Sequence, residues 1–134
     1  MRTHLRWTVP VLLLLLAGCS EPITHNEELA RKRAEEFAEI ALVKQNFDRA
    51  YEQMSGKARS YLPLQSFKEA MIGSHRDGYP KTIKATGVRP VKDATTVFVI
   101  LRGQDGAGKV FEYQIMLNGS EKSDYQVSTI RRLS

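Results

Sequence analysis

Val110-Phe111-Glu112-Tyr113-Gln114-Ile115-Met116-Leu117 places Phe111, Tyr113, Ile115 and Leu117 on one side of an extended chain and Glu112 and Gln114 on the other. That period of two marks a pleated strand with one face buried. Such a strand needs partners, and both flanks supply them. Upstream, Thr95 to Leu101 is dense in β-branched residues and apolar on both faces, as a central covered strand should be. Before it, Lys81 to Val91 reads as the first strand, with Gly87 signalling a bulge and Pro90 an edge or strand end. Downstream, Tyr125 to Leu133 brings Tyr125, Val127 and Thr129 together and leaves Arg131-Arg132 near its end. Lys92-Asp93, Gly103 to Gly108 and Asn118-Gly119 are short connections with turn chemistry, so the expected sheet is an antiparallel meander.

The cover for the apolar face comes from the residues before the strands. Thr24-His25-Asn26-Glu27 fits a capping box, in which the threonine hydroxyl and the glutamate carboxylate satisfy the first-turn N–H groups. Ala30, Ala34, Phe37, Ala38 and Ala41 then recur at helical spacing, in a stripe widened by Ile40, Leu42 and Val43. This predicts one long amphipathic helix whose alanines let a second layer approach closely. Asn46 is a cap for a second helix carrying Phe47, Ala50, Tyr51 and Met54, which Ser55-Gly56 ends. Pro63 opens a third with Leu64, Phe67 and Met71, stopped by Gly73 before a loop from Ser74 to Pro80. Helices first and an antiparallel sheet second define an α+β domain with the helices on one face of the sheet.

From about Glu28 to Leu133 this order resembles the nuclear transport factor 2-like, or cystatin-like, fold, in which N-terminal helices pack on a curved β-meander that forms a cone. The run Phe37-Ala38-Glu39-Ile40-Ala41-Leu42-Val43-Lys44-Gln45-Asn46-Phe47-Asp48-Arg49-Ala50-Tyr51 is similar to the opening of small exported members of that superfamily, and Tyr125-Gln126-Val127 to their final strand. The superfamily hosts isomerases, dehydratases, transport factors and lipoproteins that only bind. The resemblance therefore implies a fold and leaves the activity open.

The N-terminus carries an address. Arg2 and Arg6 precede an apolar run from Val11 to Leu16, and Leu16-Ala17-Gly18-Cys19 closes it around the only cysteine of the chain. The apolar stretch is far short of the roughly 20 residues that cross a bilayer, so it reads as a secretory signal. Its last four residues resemble the lipobox of bacterial lipoproteins. That resemblance implies diacylglycerol on the Cys19 thiol, cleavage just before Cys19 and acylation (palmitate or a similar chain) of the new amino group. The chain then divides into a signal peptide over 1–18, a lipidated tether over 19–26 and the domain over 27–134. Ser20, where aspartate commonly retains a lipoprotein at the inner membrane, favours the outer membrane facing the periplasm in a two-membrane bacterium.

Other function classes find little support. The formal charge of +5 comes from 20 Lys and Arg against 15 Asp and Glu, and Arg2 and Arg6 leave with the signal. Arg31-Lys32-Arg33 and Arg131-Arg132 are the only basic clusters and read as solvated faces, so no nucleic-acid partner is expected. Gly103-Gln104-Asp105-Gly106-Ala107-Gly108-Lys109-Val110 nearly spells a phosphate-binding loop. Val110 stands where magnesium needs a hydroxyl, and a strand follows where a helix N-terminus is required. After processing only His25 and His75 remain among the histidines, neither at ligand spacing, so both read as surface or loop residues and no metal or cofactor is expected.

The candidate ligand-binding residues are Tyr51, Tyr61, His75 and Tyr113, with His75 in the loop near the mouth that this fold usually opens. Tyrosine is equally suited to a core position with its hydroxyl at the boundary. No carboxylate lies on the apolar strand face, so no catalytic residue is assigned. The expectation is a lipid-anchored, non-catalytic module that binds a small apolar ligand or an envelope protein. The alternatives are an isomerase or dehydratase with a pocket acid, which an inverted register would favour by turning Glu112 and Gln114 inward, and a structural helper of an envelope assembly.

Overall fold

Asn26, rather than Thr24, caps the first helix. Its side chain accepts a hydrogen bond from the Leu29 N–H at 3.0 Å in the computed structural model, which describes residues 21–134. Cys19 and residues 1–18, expected to form a signal peptide, lie outside those residues. Asparagine outranks threonine as a cap, and the Thr24 hydroxyl is engaged elsewhere, donating to Glu121 Oε2 at 2.8 Å.

Helix α1 spans Glu27–Ala38 and buries Ala30, Ala34, Phe37 and Ala38. It passes directly into a π-helical turn, Glu39–Val43, closed by the Lys44 N–H donating to the Glu39 carbonyl at 2.9 Å. The wider turn explains the broadened apolar stripe, because it allows the consecutive residues Ile40, Ala41 and Leu42 all to be buried. Helix α2, Phe47–Glu52, is capped by Asn46 as expected.

The sequence hides one helix. Ser55-Gly56 was expected to end a helix, but Ser55 caps a new one, α3, Gly56–Tyr61, by accepting from the Ala58 N–H at 3.1 Å. Serine before glycine serves as either a stop or a start, and α3 buries no residue that would have marked an apolar face. Helix α4, Leu64–Gly73, follows Pro63 and buries Phe67 and Met71.

The strands β1 (Thr82–Pro90), β2 (Thr96–Gln104), β3 (Val110–Ser120) and β4 (Asp124–Arg132) form one sheet in the order β1-β2-β3-β4, each pair antiparallel. The β1–β2 register shifts between Ala85 and Gly87, at the bulge that Gly87 signals. Phe111, Tyr113, Ile115 and Leu117 are all buried, together with Val97, Val99 and Leu101 of β2, so the register has the apolar face inward. Glu112 and Gln114 lie on the opposite face. This is an α+β domain with its helices on an antiparallel sheet, broadly nuclear transport factor 2-like or cystatin-like in architecture.

Three strand expectations need correction. Strand β2 is central but covered on one face only, since Phe98 and Ile100 on the other stay half-buried. Thr129 does not join Tyr125 and Val127 inside: Leu117 pairs with Val127 and Met116 with Thr129, leaving Ser128 as an extra residue that inverts the alternation. Thr129 is therefore exposed and Ile130 turns inward. Finally, Asn118-Gly119 is part of β3 rather than its turn. Gly119 lies opposite Tyr125 with φ of 153°, and a Cβ there would stand 1.9 Å from the Asp124 carbonyl oxygen. The glycine answers a close approach between strands rather than a turn.

Two devices bind the layers. Arg33 of α1 forms a forked pair with Asp124, with Nε and Nη2 each 2.9 Å from a carboxylate oxygen, and this holds the Asp124 carboxyl below the usual range. The free side of β4 is closed at Val127, whose carbonyl accepts from the Ser55 N–H at 2.8 Å and whose N–H donates to the Gln53 carbonyl at 3.3 Å. Edge pairing of this kind protects a sheet from intermolecular association. Within the stretch assigned to the tether, Thr24, His25 and Asn26 are stitched to the domain. His25 Nε2 donates to the Ala94 carbonyl at 2.7 Å, and both His25 Nδ1 and the Asn26 N–H meet the Tyr125 hydroxyl, at 3.0 and 2.9 Å. His25 is half-buried rather than a surface residue.

Candidate functional site

Beyond Val127 the edge of β4 parts from the helices, and a groove of about 820 Å³ opens between it and α3 and α4. Its floor is built from core side chains: Met54, Phe67 and Met71, all buried, with Leu62 and Ile130 partly so. Its rim carries the exposed Lys57 and Tyr61 and the half-buried Arg132, while Arg131 borders it from β4 with its side chain turned to Gln114 on the other sheet face, 3.0 Å away. Thr95, Thr96 and Asn118 line it where β2 begins, beside the Ala94 carbonyl that receives His25. No aspartate or glutamate lines it. The floor is available because the bulge at Ser128 turns Ile130 inward and because α3 stands away from the core.

The four residues singled out from the sequence separate. Tyr61 is on the groove rim and is 80% exposed, a large apolar ring held in water. Tyr51 is a structural pin, its hydroxyl donating to the Leu62 carbonyl at 2.7 Å and closing the short α3 against α2. His75 and Tyr113 are brought together behind the groove wall, 4% and 0% exposed, with His75 Nε2 2.7 Å from the Tyr113 oxygen. His75 Nδ1 lies 2.7 Å from the Met71 carbonyl, which can only accept, so Nδ1 carries the proton and Nε2 accepts from the Tyr113 hydroxyl. Tyr79 stacks on the imidazole with ring centroids 4.6 Å apart.

The expectation that His75 is a surface or loop residue is thus corrected. Its position after α4 suggests exposure, whereas stacking against Tyr79 and Tyr113 and the hydrogen bond to the Tyr113 hydroxyl hold the ring inside. Burial pushes the His75 pKa down and the Tyr113 pKa up, so the pair holds its neutral forms. The charged groups facing it are Arg132, which adds to the depression of His75, and Asp77, which opposes it. Asp77 is bound by Arg132 on both oxygens at 2.7 Å and by Lys109 at 2.5 Å, and these cations hold its carboxyl well below the usual range. Arg132 also lies over the Phe111 ring at 4.8 Å, so one member of the terminal basic pair is held in place rather than solvated.

The pair predicts a pH dependence. Unfolded His75 takes up a proton near its ordinary value of about 6.5 and folded His75 does so only lower, so the stability it contributes is full above about pH 6.5 and is lost as pH falls toward the folded value. A protonated imidazole would also force the Tyr113 hydroxyl to accept, leaving that hydroxyl's own hydrogen without a partner. Tyr113→Phe should cost about 1–3 kcal/mol by orphaning Nε2. It should also make the fall in stability below about pH 6.5 shallower, because a partnerless Nε2 gains more from a proton. Urea unfolding at several pH values checks both; a variant that parallels the wild type at every pH would refute the assignment.

Every buried side-chain nitrogen and oxygen among the described residues has a hydrogen-bond partner. His75 and Tyr113 do not line the groove, whereas Met71 and Ser74, which bond to one another and to the His75 ring, do. Among the described residues no group of three or more His, Cys, Asp or Glu side chains gathers where a metal could be held, and no helix is long and apolar enough to cross a membrane. The Gly103–Gly108 stretch closes the β2–β3 hairpin, with Asp105 Oδ1 accepting from the Ala107 and Lys109 N–H groups at 2.9 Å. The groove itself was not foreseen from sequence. Its signals were the α3 helix hidden behind Ser55-Gly56 and the bulge at Ser128, neither of which carries an apolar pattern. No family model, no curated protein and no solved structure matches this chain.

Proposed function

We propose that this chain is a lipid-anchored protein of the bacterial cell envelope, attached through Cys19 after loss of residues 1–18, whose domain is a non-catalytic module holding a small apolar ligand in the groove between α3, α4 and β4. The observation that carries the binding role is the groove: buried apolar floor, polar rim and no carboxylate. Pockets of such size and lining are the usual seat of small molecules. Glu112 and Gln114, the residues an acid–base reaction would need inside, face away from the buried side. The anchor rests on the lipobox resemblance of Leu16-Ala17-Gly18-Cys19, and the outer membrane is favoured by Ser20. The stitching of Thr24 to Asn26 fits this reading, because it sets the chain's entry point beside the groove end at Thr95 and Thr96.

An envelope protein is the second occupant to consider. Phe98, Ile100 and Met116 form a half-buried apolar strip on the sheet face opposite the helices, and no described helix lies over it.

Cys19→Ser tests the anchor. The wild-type chain is expected to incorporate labelled palmitate and to sediment with envelope membranes, and the variant to lose the label completely. Two or more acyl chains are needed for stable attachment, so the loss of the acylation site should be close to all-or-none. A wild-type chain that takes up no label would contradict the anchor.

A further inference from the structure

We infer that the domain stands on the bilayer with one end of its sheet, the β1–β2 turn (91–95) and the β3–β4 turn (121–123), against the lipid headgroups, an inference that rests on the anchor at Cys19. A flexible tether over 19–26 would leave the domain free to tumble, because a coil of that length reaches about 16 Å on average. The bonding of residues 21–26 removes most of that freedom. Glu21 forms an ion pair with Lys122, the Thr24 hydroxyl donates to Glu121 Oε2 at 2.8 Å, and the Glu121 N–H donates to the Thr24 carbonyl at 2.9 Å. His25 ties the same segment to the other turn, through the Ala94 carbonyl at 2.7 Å, and stacks on Tyr125 with ring centroids 5.9 Å apart. Residues 21–26 therefore belong to the domain. With successive Cα atoms 3.8 Å apart, the Cα of Cys19 lies no more than about 7.6 Å from that of Glu21.

That reach decides which surface meets the membrane. Strand β2 runs from Thr96 to Gln104, about 30 Å at roughly 3.3 Å per residue, so the β2–β3 turn is held about that far from the end where the chain enters. The surface at the entry end suits an interface. Ile23 and Val91 are 36% and 38% exposed, large apolar side chains left in water, with Pro22, Pro90 and Lys92 exposed beside them in the chain. Apolar side chains can enter the headgroup layer while a lysine keeps its ammonium in water. Residues 105–109 at the far turn carry no exposed large apolar side chain.

The occupant of this surface is lipid rather than a protein because the anchor itself holds the surface within a few ångströms of the bilayer. The groove end bordered by Thr95, Thr96 and Asn118 lies at the same end of the sheet. The bilayer is then also the nearest source of an apolar ligand.

The test uses the full acylated chain in phosphatidylethanolamine–phosphatidylglycerol vesicles that contain a lipid with a nitroxide on its headgroup. Lipidation consumes the thiol of Cys19, the only cysteine of the chain, so Lys92→Cys, Lys84→Cys and Ala107→Cys each offer one site for a bimane fluorophore. All three positions are exposed: Lys92 on the lipid-facing turn, Lys84 on the open face of the sheet, and Ala107 on the far turn. Nitroxide quenching requires near contact, so bimane at 92 should lose most of its emission and bimane at 84 or 107 should keep nearly all of it. Equal quenching at the three positions would show a tumbling domain and overturn the orientation while leaving the anchor intact. Stronger quenching at 84 or 107 than at 92 would seat another surface on the lipid and overturn it as well, as would no quenching at any position. A wild-type chain that takes up no palmitate and does not sediment with the vesicles would remove the anchor, and the orientation with it.

Discussion

Phe37→Ala is expected to destabilise the domain by about 3–5 kcal/mol, the usual cost of removing a buried aromatic ring. Phe37 is completely buried on α1, between the sheet and the Phe67 ring, whose centroid lies 6.4 Å away. Burial of the lost atoms accounts for part of the cost and the cavity for the rest. The cavity should collapse poorly, because the flanking α1 residues Ala34 and Ala38 are already small. Domains of this size are stable by only about 5–15 kcal/mol, so the variant forfeits a large fraction of the total. Its thermal midpoint should fall by on the order of 15 °C. A loss below about 1 kcal/mol in chemical denaturation would show that Phe37 is not at the junction of helix and sheet.

The largest functional effect is expected at Ala70. This residue lines the groove from α4 yet is itself exposed, so an indole there projects into the mouth without displacing the core. The helix-propensity cost of Ala70→Trp is about 0.5 kcal/mol, and the fold should persist. Ligand binding should weaken by about tenfold or more, because the added ring occupies space that a bound chain requires and overpacking costs about 1–3 kcal/mol. Phe37→Ala and Ala70→Trp therefore separate stability from occupancy: the first lowers the melting temperature, the second empties the groove.

The sheet was legible in the sequence because its strands obey one rule over many residues. The alternation from Phe111 to Leu117, the β-branched run of β2 and the glycine at the β1 bulge all survive in the structure. The long first helix was legible for the same reason, as a repeated stripe. What stayed hidden depends on single residues that serve two purposes. Ser55-Gly56 reads as a helix stop but starts α3, Gly119 mimics a turn while relieving a strand contact, and an unremarkable Ser128 reverses the alternation of β4. The groove draws on two of these irregularities, the α3 start at Ser55 and the bulge at Ser128. Tyrosine suits both a ligand contact and a structural pin, so residue type alone does not separate Tyr61, exposed at the groove rim, from Tyr51, whose hydroxyl closes a backbone turn. His75 and Tyr113 belong together across 38 residues of chain, a pairing that only the packing of α4 on the sheet creates.

The central claim is that the groove between α3, α4 and β4 is occupied in the cell by a small apolar molecule. The direct measurement is isolation of the full wild-type chain and of Ala70→Trp from native membranes, followed by mass spectrometry of the small molecules extracted from each. The account predicts a long-chain compound in reproducible stoichiometry with the wild type and a loss of about tenfold or more in the variant. Equal recovery from both chains, or no reproducible compound from the wild type, would contradict it.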